Sequence, residues 1–224
     1  MRVAQLGSGE VRISYVGHST FVIESPKGIR IATDYNDYVR PAELPHVATM
    51  NRAHSTHYTN SPDPGIRHVL RGWNPEGGAA HHDVTETDVR IRNIPTNIRD
   101  FSGGTFEFGN SIFVFELSNL CIAHLGHLHH TLTTQQLAQL GQMDIVLVPV
   151  DGSYTLDLAG MLDVLRSLKA PLVIPMHYFS SFTLGRFIET VRSDFEIKMS
   201  DVPTVVVSRA TLPASPQVLV LPGH

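Results

Sequence analysis

The chain has 224 residues, of which 42% are hydrophobic and 17% are charged, and its formal net charge at pH 7 is −4. This length fits one domain, or two small halves that share a core, and the charge balance argues against the basic surface of a nucleic-acid-binding protein. The single cysteine, Cys121, excludes an internal disulfide bond.

The first half of the chain is rich in short runs in which apolar and polar residues alternate. These runs cover residues 11–16, 20–24, 29–33, 46–50, 66–70, 89–95 and 111–117. Alternation with a period of two is typical of half-buried β-strands. Proline, glycine and polar residues indicate that 59–88 is mostly loop and that 96–104 is a polar turn. We therefore predict an antiparallel meander followed by further strands.

The second half carries longer apolar runs and helical spacing. Strands are predicted at 144–150, 171–175, 204–207 and 218–221, and helices at 135–140, 156–168 and 183–192. Thr133 and Gly141 are suited to begin and end the first of these helices. Unbroken apolar strands indicate burial on both faces. We expect sheets packed face to face with helices outside, in one domain that spans residues 1–224.

Several histidines lie where predicted strands end. His124 and His127 are three residues apart across a glycine, His54 and His57 have the same spacing, and His177 follows a third predicted strand. Loops at strand ends can converge on one point, and imidazole is the commonest metal ligand among side chains. The pattern favours a metal site over a purely structural network of polar side chains.

Four segments carry a resemblance to a known family. Residues 15–23 contain Gly17-His18-x-x-Phe21, which resembles the GHxxF opening of the metallo-β-lactamase fold. Segments 123–130, 148–155 and 174–178 are similar, in the same order, to later blocks of the branch that contains L-ascorbate-6-phosphate lactonase. Asp34 stands where that family has an aspartate after its third strand. The resemblance implies an α/β fold, a four-layered αβ/βα sandwich, with a metal site at one edge of the two sheets.

The family's metal-binding motif, His-x-His-x-Asp-His, is altered here. Its six places fall on residues 52–57, so that Arg52 replaces the first histidine and Thr56 replaces the aspartate. His127 replaces the bridging aspartate of the later block. Because two dications normally need a shared carboxylate, we predict one bound ion rather than two.

The resemblance assigns His54 and His124 to one metal position of the family and His57 and His177 to the other. We predict one zinc ion, with Mn²⁺ as the alternative, held by His57, His127 and His177 with one coordination position left open. His54 and His124 either complete this ligand set or compete with its members for the ion.

These residues predict a metal-dependent hydrolase of an ester or lactone-like small molecule. Arg52 would hold an anionic group or a developing oxyanion and would pair with Asp34. Asp151 or Asp100 would act as general base and Tyr154 as a donor. The main alternative is a catalytically silent binding protein that has lost its metal, and storage of metal by the histidines is a third possibility.

The sequence also sets expectations about location and partners. No apolar run reaches the ~18 residues that span a bilayer, and the N-terminus lacks the long apolar segment of a signal peptide. We expect a cytoplasmic protein that binds neither membrane nor nucleic acid and that can form homo-oligomers.

Overall fold

A computed structural model describes residues 5–100 and 102–223, and two mixed β-sheets form its centre. The six-stranded sheet has the order β13-β1-β2-β3-β4-β5, with β1 at Glu10–Gly17, β2 at Thr20–Glu24, β3 at Arg30–Ala32, β4 at Val47–Met50, β5 at His68–Arg71 and β13 at Thr204–Ser208. The eight-stranded sheet has the order β12-β14-β11-β10-β9-β8-β7-β6, with β6 at Asp83–Glu86, β7 at Val89–Arg99, β8 at Thr105–Leu117, β9 at Leu120–His124, β10 at Ile145–Pro149, β11 at Leu172–Met176, β12 at Glu196–Met199 and β14 at Gln217–Val220.

Three α-helices occur in the described ranges: α1 (Thr134–Leu140), α2 (Leu158–Leu168) and α3 (Ser181–Val191). The hydroxyl of Thr133 accepts a hydrogen bond from the N–H of Gln136, and Gly141 ends α1, as the sequence predicts. A short 3₁₀ turn at Arg209–Thr211 precedes β14. No helix of the described chain is both long and apolar enough to cross a lipid bilayer.

The apolar runs of the second half are explained by burial on both faces of the eight-stranded sheet. In β10, Val146 and Val148 pack towards the helices, whereas Ile145 and Leu147 pack against the six-stranded sheet. Successive side chains of a strand point to opposite faces, so every position of β10 has to be apolar. The buried side chains of all three helices belong to the same cluster as Val146.

The outer face of the six-stranded sheet is covered differently. A small cluster that includes Tyr35, Met50 and Ile66 lies there, and its members come from strands and from the loops around them. The layers are therefore helices, eight-stranded sheet, six-stranded sheet and a loop layer. This arrangement agrees with the predicted αβ/βα sandwich, with loops in place of helices on the fourth layer of the described chain.

The predicted secondary structure is wrong in three places. The turn predicted at 96–104 begins too early, because β7 continues to Arg99 and pairs with β8 through Ile98–Phe106. The predicted loop at 59–88 contains β6, a partly exposed edge strand, and the sequence analysis also missed β12. Both missed strands lie at an edge of the sheet.

Parallel strands bring several loops to one edge of the molecule. Strand β10 pairs in parallel with β9 and with β11, and β3 pairs in parallel with β4. The carboxyl ends of parallel strands lie at the same edge of a sheet. The segments that follow these strands carry most of the histidines singled out in the sequence.

Candidate metal centre

Five imidazoles gather at this edge: His18, His54, His57, His127 and His177. Three ring nitrogens, one from each of His18, His57 and His177, lie within 4.8 Å of one another. The same is true of three ring nitrogens from His54, His127 and His177. His18 lies in the turn between β1 and β2, whereas the others follow β4, β9 and β11. Two triplets that share His177 therefore join the two sheets.

His127 is the most unusual of these side chains. It is 2% exposed, and within the described chain neither of its ring nitrogens has a hydrogen-bond partner. Its backbone N–H donates to Oδ1 of Asn110 (2.8 Å), and Gly126 before it turns the chain with φ +60°. Burial, followed by the neighbouring imidazoles of His57 and His177, lowers the pKa of His127 well below 6.5. At neutral pH it is thus an uncharged imidazole with a lone pair free to bind a cation.

His57 is oriented by a buried carboxylate. Its Nδ1 lies 2.6 Å from Oδ2 of Asp34 and 3.2 Å from the hydroxyl of Ser19, and Asn51 donates to the other oxygen of Asp34. Burial raises the pKa of Asp34 to about 6 and lowers that of His57 well below 6.5. At neutral pH the carboxylate therefore accepts from Nδ1–H of a neutral imidazole, which leaves Nε2 with a lone pair.

His177 lies beside a second buried carboxylate, Asp151, although its Nδ1 is not aligned for a hydrogen bond within the described chain. Its Nδ1 lies 3.1 Å from Oδ1 of Asp151, whose Oδ2 accepts from the backbone N–H groups of Ser153, Tyr154 and Thr155. Burial alone would raise the pKa of Asp151, but the neighbouring His177 and these donors outweigh burial and bring the pKa well below its usual range. Asp151 is thus engaged by the loop that follows it and by His177.

The remaining nitrogens of His57 and His177 face each other. Their Nε2 atoms are 3.1 Å apart. Because Nδ1–H of His57 bonds Asp34, Nε2 of His57 carries a lone pair, and a second nitrogen this close requires a proton or a cation between the two atoms. Two imidazole nitrogens on one tetrahedral zinc ion would be about 3.3 Å apart. The observed separation fits a shared cation.

The structure does not bring His124 into the cluster. Its Nε2 lies 2.9 Å from the carbonyl oxygen of Ser19, and its Nδ1 accepts from the N–H of Gly126 at 3.2 Å. Both nitrogens are therefore occupied by the backbone, which leaves no lone pair for a metal. His124 links the two sheets, and we remove it from the ligand set.

His18 takes the place in the cluster that the sequence analysis gave to His124. Its carbonyl oxygen accepts from the Tyr15 hydroxyl (2.8 Å) and from the N–H of His177 (2.7 Å), and its backbone has φ 51°. Its ring lies 4.2 Å from that of His177, and its buried Nε2 has no partner within the described chain. The signal was present in the GHxxF segment, but a single histidine in a turn has no spacing that indicates a ligand.

Arg52 does not occupy the position that the sequence analysis gave it. Its guanidinium carbon lies 4.9 Å from the centre of the Phe106 ring, and its side chain is exposed. Asp34 is bonded to His57 and Asn51, so the predicted pair between Arg52 and Asp34 does not form. Thr56 lines a small cavity of about 250 Å³ together with His18 and other members of the cluster.

Asp100 and Tyr154 lie on a larger cavity of about 720 Å³, which is also lined by Arg52, His54 and His127. Oδ1 of Asp100 accepts from N–H groups of its own turn, at Ser102 and Gly104. Tyr154 is 58% exposed, and its ring lies edge-on to that of His54. The cavity thus brings Asp100 and Tyr154 to the open side of the histidines, whereas Asp151 lies behind them.

The donor atoms fit a transition-metal ion. The cluster offers nitrogen ligands, two carboxylates lie beside the imidazoles of His57 and His177, and one nitrogen of His127 lies within 4.8 Å of ligand nitrogens of His54 and His177. Carboxylate–histidine pairs of this kind are usual around bound metals. Imidazole ligands suit zinc and its neighbours better than hard ions such as Mg²⁺ and Ca²⁺.

Comparison with known proteins agrees with this geometry. The family described as the beta-lactamase superfamily domain matches residues 12–177. A UPF0173 metal-dependent hydrolase of Nanoarchaeum equitans is 24% identical over 186 residues, which are 75% of this chain and 84% of that protein. One of Archaeoglobus fulgidus is 23% identical over 222 residues, which are 88% and 96% of the two chains.

Solved structures show the same fold. A candidate Zn-dependent hydrolase of the metallo-β-lactamase superfamily from Thermotoga maritima superposes with a TM-score of 0.69 at 26% identity, covering 96% of this chain and all of that one. A metallo hydrolase of Ignicoccus hospitalis gives 0.63 at 18% identity, with 89% and 99% of the two chains covered. The predicted fold class is therefore confirmed, whereas the narrower lactonase branch and the altered metal motif stay predictions.

Proposed function

We propose that this chain, which belongs to the beta-lactamase superfamily, hydrolyses an ester or lactone bond of a small molecule with the help of one zinc ion. Its relatives are named metal-dependent hydrolases. Mn²⁺ is the weaker alternative, because an all-imidazole set favours zinc.

The observation that supports this proposal is buried His127, neither of whose ring nitrogens has a hydrogen-bond partner among the described residues. A buried polar group without a partner costs about 1–3 kcal/mol, and native structures rarely retain one without a reason. A cation held by His54, His127 and His177 removes this cost at the one nitrogen of His127 that it binds. His57 and His18 form the competing position.

A single ion follows from the chemistry of His177. Its Nδ1 lies 3.1 Å from Oδ1 of Asp151, and its Nε2 is the nitrogen that faces the other imidazoles. Both triplets contain His177, and one nitrogen lone pair binds one metal ion. The two triplets are therefore alternative positions for the same ion.

The roles of the residues follow from where they lie. A bound zinc ion supplies Lewis acidity, which polarises a carbonyl group and makes a water molecule more acidic. Asp34 and Asp151 orient His57 and His177 and thus act as positioning residues. Tyr154, on the open side of the cluster, can donate a hydrogen bond to a substrate in the larger cavity.

The test is elemental analysis of untagged protein after dialysis against zinc, with hydrolysis of p-nitrophenyl esters and aromatic lactones measured on the same samples. We expect about one zinc per chain in the wild type and almost none in His127→Ala or His177→Ala. His129→Ala is the matched control, because Nδ1 of His129 already bonds the carbonyl oxygen of Asn97 at 3.0 Å.

The outcomes separate the hypotheses. Close to two zinc ions per chain would refute the single site. No bound zinc in the wild type would instead favour the catalytically silent binding protein. Equal loss of metal in all three variants would show that the assignment of His127 is wrong.

A further inference from the structure

The walls of the larger cavity indicate features of the substrate that the metal centre does not indicate. It measures about 720 Å³, and His54 and His127 form part of its wall. Arg52, Arg99 and Asp100 supply charge elsewhere on the wall, and Ile98, Phe106 and Tyr154 supply apolar and aromatic surface. A molecule that reaches the histidines through this cavity contacts both kinds of surface.

In the described part of the chain, neither of the two arginines forms a salt bridge with a carboxylate. Most other described arginines form salt bridges, such as Arg12 with Glu24 and Arg166 with Asp194. Among residues 5–100 and 102–223, no carboxylate oxygen lies within 4.0 Å of the charged nitrogens of Arg52 or Arg99. A planar guanidinium matches the geometry of a carboxylate or phosphate, so two of them in one cavity provide an anion-binding wall.

Among the described residues that line this cavity, Asp100 is the one carboxylate, and its Oδ1 is already hydrogen-bonded. Its Oδ1 accepts from the N–H and the hydroxyl of Ser102 and from the N–H of Gly104. Hydrogen bonds lower the pKa of Asp100, and the one from the Ser102 side chain has the largest effect. Asp100 is therefore ionised at neutral pH. Two guanidinium groups against one carboxylate leave the wall with a net positive charge.

Arg52 is also fixed in position. Its backbone N–H donates to the carbonyl oxygen of Gly109 at 2.9 Å, and its guanidinium group lies over the Phe106 ring. Stacking on an aromatic ring reduces the freedom of the side chain while its N–H groups stay available to a ligand. The same stack places apolar surface directly beside the charge.

We propose that the substrate carries an oxyanion group, a carboxylate or a phosphate, on an apolar body, and that Arg52 and Arg99 bind the oxyanion while Phe106 and Ile98 contact the body. This proposal rests on the proposed function in one respect: the bond to be broken lies on the side of His54 and His127. The recognition itself needs the arginines and not the metal.

The experiment measures binding of four probes by calorimetry, on zinc-loaded protein and on protein treated with chelator. The probes are phenylacetate, phenyl phosphate, the neutral phenylacetamide, and acetate, which lacks the apolar body. We expect the aromatic anion of the preferred class to bind about tenfold or more tightly than phenylacetamide and acetate. Comparison of phenylacetate with phenyl phosphate identifies the preferred oxyanion.

Variants identify the groups responsible. Arg52→Gln and Arg99→Gln should each weaken binding of the preferred anion about tenfold, and Asp100→Asn should strengthen it several-fold because the turn keeps its acceptor while the repulsion is lost. Arg186→Gln is the matched control, since Arg186 lines a separate cavity between α2 and α3. Its binding should equal that of the wild type.

The outcomes distinguish this proposal from the proposed function. Anion binding that persists without zinc and depends on the arginines supports it even where no hydrolysis is found. Equal binding of phenylacetamide and phenylacetate overturns it. Anion binding that appears only with zinc and is unchanged in both arginine variants also overturns it, because the ion and not the arginines would then recognise the anion.

Discussion

Gly126 controls the position of His127, and replacing it by alanine tests this directly. The residue has φ +60°, and a Cβ built there would lie less than 3.0 Å from the side-chain amides of Asn110 and Asn51. Real Cβ atoms almost never come so close to a neighbour. Alanine in this left-handed conformation costs about 1–2 kcal/mol even in open space.

The two amides cannot move aside without loss. Asn51 donates to Asp34 and accepts from the N–H of Ser111. Asn110 donates to the carbonyl oxygen of Leu125 and accepts from the N–H of His127. Overpacking of a fixed environment costs about 1–3 kcal/mol. The total expected for Gly126→Ala is therefore about 2–5 kcal/mol of the free energy of unfolding.

Gly78→Ala separates strain from steric overlap. Gly78 has φ +77°, but a Cβ there would meet nothing within 4 Å, so we expect a loss of about 1–2 kcal/mol from backbone strain alone. Urea unfolding of both variants gives the comparison, and zinc titration should show weaker binding in Gly126→Ala. If Gly126→Ala lost no more stability than Gly78→Ala and bound zinc normally, the argument that Gly126 positions His127 would be refuted.

Two further predictions concern the carboxylates and pH. Asp151→Asn removes the charge that faces His177, and we expect zinc affinity to fall about 10–100-fold in a calorimetric titration, with the fold retained. Burial keeps His57 and His127 neutral in the folded, metal-free protein, with pKa values well below 6.5. The free energy of unfolding in chelator should therefore be highest above pH 6.5 and fall below it, by about 1.4 kcal/mol for each histidine at pH 5.5.

The prediction for Asp151→Asn has a control, and the predicted loss of stability at low pH needs a correction for Asp34. Asp157→Asn should leave zinc binding unchanged, because Asp157 begins α2 by accepting from the N–H of Gly160, and asparagine serves equally well there. Asp34, whose pKa is raised to about 6, takes up a proton more readily when folded and offsets about 0.8 kcal/mol of the loss at pH 5.5. His57, His127 and Asp34 together give a loss of about 2 kcal/mol, and His18, whose pKa burial lowers to about 3, adds to it. Constant stability between pH 7 and pH 5.5 would contradict this prediction.

The strands that sequence patterns predicted well are those with both faces buried. Strand β10 is apolar throughout because helices cover one face and the second sheet covers the other. The edge strand β12 is different, since Glu196 and Lys198 face solvent and no apolar pattern marks it. The end of β7 was taken for a turn because Asn97 and its neighbours are polar, although their backbone continues the ladder with β8.

The sequence predicted part of the candidate site. The spacing of His54 with His57, and the position of His177 after β11, indicated residues that the structure brings together. Spacing could not distinguish His124 from His127, because the side to which each ring points depends on the left-handed conformation of Gly126 between them. It also could not indicate His18, which approaches the others from a turn far away in the sequence.

The contact between Nε2 of His57 and of His177 joins positions that are 120 residues apart. One residue follows a strand of the six-stranded sheet and the other follows a strand of the eight-stranded sheet. Closing so long a loop has an entropic cost that neither sheet repays alone, so these ligands meet only after the sheets have docked. The proposed ion, held by His54 after β4 and by His127 and His177 after β9 and β11, would join the same two sheets. It would act as a removable cross-link, and its presence in a chain would report that the two halves have assembled.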